Sequence, residues 1–316
     1  MTSIQKHLKK TQLLIAMLLL LLVHAQAQTN AKEIKDLMSA GKSKKALDLV
    51  EKEISKTGLT DELSVLKSTA LLGINAEKAF ENMQFTITKF PNSAAAYNMR
   101  GLFFYGINDM ANSLKDFNKA YELCTTDDSL KFEILINRSG VSHHVNKIEN
   151  AIADCREALK IRPDNLDALN NLSATLFDDD QFDEAEKILL GIKEKNPKYI
   201  GAYVNLGYQN QKRERYAFAE KYLLEGLALE PNEPYVLNNL GYAQFKLGKT
   251  EEALKNINKS LKFFPTNAYA YRNLALIYLA QNQKEKACEA IQKALSYSFT
   301  DLYGDEVKDL KKQNCL

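Results

Sequence analysis

The sequence predicts an all-α protein, a linear array of about eight helix-turn-helix units with a period of thirty-four. Three ladders carry that prediction. Pro163, Pro197, Pro231 and Pro265 each fall on the thirty-fourth position after the one before, and a fixed period of this length marks stacked structural repeats. Ala151, Ala185, Ala219, Ala253 and Ala287 keep the same step, and Ser139, Ser173, Gly207, Gly241 and Ala275 form a ladder of small residues. Upstream the phase shifts. Pro91 precedes Pro163 by two periods plus four, while Gly101 and Ser113 precede Ser139 and Ala151 by one period plus four. All three offsets place one four-residue insertion in the polar stretch from Thr125 to Ser129. Agreement of independent ladders on a single insertion makes the repeat real.

The elements follow in order. Residues 1–25 read as a secretory signal peptide: Lys6, Lys9 and Lys10 without an acid, an apolar run from Leu13 to Val23, and small-residue exits at Ala25 and Ala27. The run falls short of the roughly 20 residues that span a bilayer. The expectation is therefore cleavage and export, to the periplasm or beyond the cell, with no stable membrane insertion afterwards. The first cysteine is Cys124, so none stands at the cleavage point to take a lipid. The array then covers 27–299. Its first unit, Ile34 to Ile54, is built on Gly41 and Ala46. The second carries Lys67 where later units have Gly, Ser or Ala, which predicts a looser or tilted start to its first helix. Later first helices place Tyr203 and Leu206, or Tyr271, Leu274 and Tyr278, at helical spacing. A turn follows around Gly248 or Asn282, then a second helix runs to a Leu-rich end closed by proline. Gly207 and Ala219 are expected to face each other within one unit, and Ala158 or Ala294 to receive the next. A large side chain there would part the backbones at a cost of about 1–3 kcal/mol. Residues 300–316 read as a cap, with an amphipathic helix from Asp301 to Leu310 turning Leu302, Val307 and Leu310 inward. One helix pair cannot bury its apolar faces alone, so each packs on its neighbours and no single core exists.

Tyr203, Leu206, Gly207, Tyr216, Ala219, Leu223, Gly226, Leu227 and Pro231 form a pattern. Asn239, Leu240, Gly241, Gly248, Ala253, Ser260 and Pro265 repeat it, as do Tyr271, Leu274, Ala275, Tyr278, Ala287 and Ala294. This pattern resembles the tetratricopeptide repeat over nearly the whole chain after the signal segment. The resemblance implies a right-handed α-solenoid, with first helices lining a concave side and second helices outside. It also implies a non-catalytic scaffold that holds a protein segment in the concave groove. The alternative is a structural component of a cell-envelope assembly or secretion complex.

Composition narrows the chemistry. Removing residues 1–25 takes away three lysines and no acid, so the formal net charge falls from +2 to −1. Nucleic-acid binding needs a concentrated basic face, and no basic run exceeds Lys44-Lys45 or Lys311-Lys312. Beyond the signal segment only His143 and His144 remain. Adjacent helical residues point about 100° apart, so this pair cannot chelate one ion without a distant third ligand. Groove lining suits His143 better than a metal site. A Ser or Cys nucleophile would need a positioned base, and no other histidine offers one. The expectation is no enzyme, no metal and no cofactor.

The candidate surface is a ladder of asparagines on the first helices: Asn137, Asn171, Asn205, Asn239 and Asn273, again one period apart. Two readings stand. An Asn before the packing Leu can bond a neighbouring helix. Alternatively, five amides on one wall can grip an extended peptide, because each supplies both donor and acceptor. Tyr208, Tyr242 and Phe245 are expected to project into the same groove with His143, Phe177 and Lys212. The carboxylate clamp of some relatives needs Lys and Asn at set places. Here these places hold Ile136, Asn170, Val204 and Asn238, then Gly140, Ala174, Tyr208 and Tyr242, so that ligand class is not implied. Four cysteines allow three connectivities. A cap folded back over the last repeat would let Cys288 meet Cys315, and Ala287-Cys288 with a terminal Cys resembles a clasp of exported repeat proteins. Cys124 and Cys155 are expected to lie about two turns out of register, and unpaired.

Overall fold

The computed structural model describes residues 30–300 and 304–315; the signal-peptide expectation for residues 1–25 lies outside them. Among the described residues, regular structure is helical throughout. Helix α1 covers 30–39. It is followed by α2 (Ser43–Thr57), α3 (Asp61–Leu72), α4 (Ala76–Lys89), α5 (Ala94–Gly106), α6 (Met110–Leu123), α7 (Asp128–His144) and α8 (Ile148–Ile161). These belong to the first of two compact units, which divide after Ile161. The second holds α9 (Leu166–Asp178), α10 (Phe182–Lys195), α11 (Ile200–Lys212), α12 (Tyr216–Leu229), α13 (Pro234–Lys246), α14 (Thr250–Phe263), α15 (Ala268–Ala280), α16 (Lys284–Ser296) and α17 (Glu306–Asn314). The helices pair in chain order, giving an all-α repeat solenoid.

Chain chemistry sets the period. Each ladder proline ends a second helix, and after every one but Pro197 the residue two positions later caps the next first helix with its side chain. Ser93 accepts from the Ala96 N–H, Asn165 from that of Ala168, Glu233 from that of Tyr235, and Asn267 from those of Tyr269 and Ala270. A side-chain oxygen here satisfies an amide that has no partner inside the helix. The turn within each pair recurs as well. Asn108, Asn146, Asp180, Glu214, Gly248 and Asn282 occupy one repeat position, and all have positive φ, from 56° to 80°. Gly, Asn and Asp tolerate that conformation better than Glu does. Glu214→Asn is therefore expected to stabilise the protein by about 0.5–1 kcal/mol. A thermal midpoint that failed to rise would show the strain to be absorbed elsewhere.

The four-residue insertion is not a loop. Helix α7 has 17 residues where α9, α11, α13 and α15 have 13. Four residues are close to one helical turn, so the insertion lengthens the helix start and returns the chain in phase. Asp127 caps the added turn by accepting from the Leu130 N–H.

Small residues hold the pairs close. Ala185, Ala219, Ala253 and Ala287 are fully buried. A Cβ at Gly207 would come within 2.5 Å of Leu223, the residue one turn beyond Ala219 on α12. At Ser173 the ladder's hydroxyl is spent across the pair, donating to the Ala185 carbonyl at 2.9 Å. The second pair solves the Lys67 problem differently. Helix α3 is regular, and Lys67 reaches back to pair with Glu51 on α2 at 3.1 Å. Ser64 and Ser68 take over the contact with α4, where Asn82 Nδ2 donates to the Ser64 carbonyl (3.0 Å) and to Ser68 Oγ (2.8 Å).

The first unit carries a polar device that the second lacks. Arg100 and Arg138 stand where α9, α11, α13 and α15 have Leu172, Leu206, Leu240 and Leu274. Each guanidinium grips an aspartate on its own second helix in a two-point pair. Arg100 meets Asp116 at 2.7 and 2.9 Å, and Arg138 meets Asp154 at 2.8 and 2.6 Å. The Arg138 guanidinium also lies 4.0 Å from the Tyr121 ring centroid.

The described part of the capping helix runs from Glu306, after Gly304 with φ of 87°, and Asp301 lies outside the described residues. Leu302 lies outside the described residues. Val307 is fully buried, and Leu310 and Cys315 pack against the core of the last pairs. Glu306 falls one period after Arg272 and accepts its guanidinium, with the Arg272 Nε at 3.0 Å from Oε1. In repeat phase, α17 thus stands as the first helix of a further, incomplete pair. A disulfide joins Cys288 on α16 to Cys315.

Candidate functional site

Within each unit, first helices touch the first helices of neighbouring pairs: α3 meets α5 and α5 meets α7, then α9 meets α11, α11 meets α13 and α13 meets α15. Second helices pack on their own partner and on the next first helix, as α12 does on α13. The first helices therefore make the closer-packed, inner side of each unit, and the Asn ladder lies there.

The structure divides the ladder by what each amide does. Asn137 Nδ2 donates to Asn98 Oδ1 at 3.1 Å in the first unit. In the second, Asn205 Nδ2 donates to Asn170 Oδ1 at 2.8 Å and Asn273 Nδ2 to Asn238 Oδ1 at 3.0 Å. Each bond runs from a ladder residue to the residue one place before the ladder on the preceding first helix. Asn238 and Asn273 are buried, and Asn273 Oδ1 also accepts from Arg272 Nη1. These three amides fasten first helix to first helix. Asn171 and Asn239 differ. Both are half-buried on the inner side, and the position that would receive the Asn239 donor is Val204, which has no acceptor in its side chain. Asn239 Oδ1 takes a long bond from its own neighbour, Asn238 Nδ2, at 3.3 Å. The sequence signal for this sorting was present: a ladder Asn is tied down when another Asn stands 35 places earlier, or 39 across the insertion.

The aromatic residues sort likewise. Tyr208 is 36% exposed, packs edge-on against Phe177 with centroids 6.3 Å apart, and has Lys212 Nζ 6.0 Å from its ring. Tyr242 is half-buried, edge-on to Tyr216 at 6.4 Å, with the Arg272 guanidinium 5.2 Å from its centroid. Phe245, expected in the groove, packs against the core of the last pairs. Phe177 is itself buried. His143 is half-buried in the last turn of α7, with His144 exposed beside it. Among the described residues, no three His, Cys, Asp or Glu side chains gather where a metal ion would sit.

Tetratricopeptide-repeat family models match residues 145–206, 234–267 and 257–289. This chain is a tetratricopeptide-repeat protein. Among solved structures, a tetratricopeptide repeat protein from Parabacteroides merdae is 21% identical, with a TM-score of 0.70 over 81% of this chain and 99% of its own. Yeast Tom70 is 18% identical at a TM-score of 0.60, covering 86% of this chain and 59% of its own. The Cut9-Hcn1 hetero-tetramer of the APC/C is 16% identical at 0.62, covering 88% and 55%. The chain spans little more than half the length of these last two. At such identities the likeness is one of fold. No curated protein matches the chain.

Two cysteines of the tetratricopeptide array stay out of the disulfide. Cys124 and Cys155 are free and buried. Burial pushes the Cys155 thiol up to about 11 and the Cys124 thiol upward as well, and the thiolate is the reactive form. Neither is expected to react with a thiol reagent in the native protein. Two thiols per chain should appear on unfolding without reductant, and four with it. Four thiols without reductant would remove the Cys288–Cys315 bond.

Proposed function

We propose that the protein is an exported, non-catalytic scaffold whose inner surface in the second unit binds an extended segment of a protein partner. The tetratricopeptide fold supports the coarser statement, a protein-protein interaction scaffold. One observation carries the finer one. Asn171 on α9 and Asn239 on α13 are half-buried and make no bond to the preceding first helix, and Tyr208 on α11 and Tyr242 on α13 stand three places after the ladder on the same set of first helices. Amides can pair with the main chain of any sequence, and tyrosines supply contact area at low entropic cost. Export rests on residues 1–25 read as a signal peptide. No helix among the described residues is long and apolar enough to cross a membrane.

A second reading, a part in a cell-envelope assembly held by its outer face, is favoured by one feature. Leu190 on α10 and Leu224 on α12 hold the same place in consecutive repeats and are 39% and 47% exposed, and Phe218, also on α12, is 55% exposed.

Partners captured from an envelope fraction by the whole protein decide between the two. Asn239→Ala with Tyr242→Ala is expected to weaken capture at unchanged thermal midpoint, by about five- to a hundredfold if each lost contact contributes about 0.5–1.5 kcal/mol. Asn273→Ala should lower the midpoint instead. Loss of capture on Leu224→Ser, with the inner pair of changes silent, would move the function to the outer face.

A further inference from the structure

The inner side of the first unit has a different chemistry from the second. At the ladder position its early helices carry Val65 and Met99 in place of asparagine. These side chains, with Leu72 on α3 and Leu102 on α5, floor a groove of about 760 Å³ between α3, α5 and the start of α7. That volume lies in the range of clefts that bury small ligands, roughly 300–1,000 Å³. Leu72 and Leu102 are 41% and 44% exposed, so the floor is open to a partner. Its rim is acidic: Asp61 and Glu62 at the start of α3 face Asp127 and Glu133 at the start of α7, against a single lining ammonium, Lys35.

We infer that this groove is a second binding site, distinct from the Asn and Tyr surface of the second unit, and that it takes a cationic segment of a partner protein. Such a segment seats a Leu, Met or Phe on the apolar floor and sets Lys or Arg against the rim. Charge complementarity selects the sign. Four carboxylates around an apolar floor repel an acidic segment and leave a neutral one with desolvated charges unpaired. Met99 adds tolerance, because its unbranched thioether adapts to side chains of different shape.

Binding of three fluorescent peptides to the whole protein, read by anisotropy, tests the site. One alternates lysine with leucine, one replaces the lysines by glutamate, and one replaces the leucines by serine. The lysine–leucine peptide is expected to bind, to weaken as salt rises, and to lose about tenfold in affinity on Glu62→Gln with Glu133→Gln. Both glutamates are exposed, so this variant is expected to keep its thermal midpoint, which is measured alongside. Leu102→Ser should lose the peptide while the Tyr242→Ala variant of the second unit binds it unchanged, which separates this site from that reading. Equal binding of the lysine–serine peptide would reduce the site to unspecific charge. Binding indifferent to the glutamate changes, or no binding at all, would overturn it.

Discussion

Asp154→Ala is expected to destabilise the first unit by about 3–5 kcal/mol. The change leaves the Arg138 guanidinium, whose side chain is only 15% exposed, without its two-point partner, keeping a long hydrogen bond to Asn118 Oδ1 at 3.3 Å and the Tyr121 ring 4.0 Å away. An unpaired buried charge is among the costliest defects a core can hold. Burial pushes the Asp154 carboxyl up even beside that guanidinium, which says that desolvation weighs heavily on the pair itself. A second expectation follows from the repeat. In the next helix pair the same two positions are Leu172 and Ile188, so Arg138→Leu with Asp154→Ile should come close to the original stability. Urea unfolding followed by circular dichroism measures both variants. A loss below about 1 kcal/mol for Asp154→Ala would class the pair with screened surface bridges. A double variant as damaged as the single one would show that the pair specifies the packing.

Gly241→Leu is expected to cost about 3 kcal/mol or more and to unfold the last pairs first. A Cβ at that position would lie 2.5 Å from Ile257 Cγ1 and 2.9 Å from the Ala253 carbonyl oxygen. The isoleucine can turn aside, but the carbonyl belongs to α14 and moves only with the helix. Gly140 is the control. It sits inside α7 with nothing within 4 Å of an added Cβ, so Gly140→Ala should stabilise by about 0.5–1 kcal/mol through helix propensity. Opposite signs for two helical glycines would establish close approach as the reason for Gly241. Hydrogen exchange locates the loss: protection should fall first in α13 to α16. A uniform fall across the chain would contradict unit-by-unit stability.

The helix pairs, their period and the place of the insertion could all be read from the order of residues. These depend on neighbours along the chain: a proline that ends one helix, a cap two residues later, a left-handed turn residue at Asn146 or Asn282, and an alanine where two helices cross. Such signals act within one or two helices and survive in a one-dimensional reading. The Asn ladder was legible too, and so was the Asn 35 or 39 places before three of its members, but not that the two amides meet. Whether Asn273 is glue while Asn239 keeps its donor free of the preceding helix depends on a residue one repeat away meeting it across a helix contact, and only packing brings them together. The same holds for α3, where Ser64 and Ser68 replace Lys67 at the contact, and for Phe245, which is half-buried against the core of the last pairs. The grouping of the pairs into two compact units at Ile161 was equally invisible, since the repeat phase runs through it unbroken. Local backbone preference is written in adjacent residues, whereas the direction a side chain finally faces is decided by the free energy of everything that packs around it.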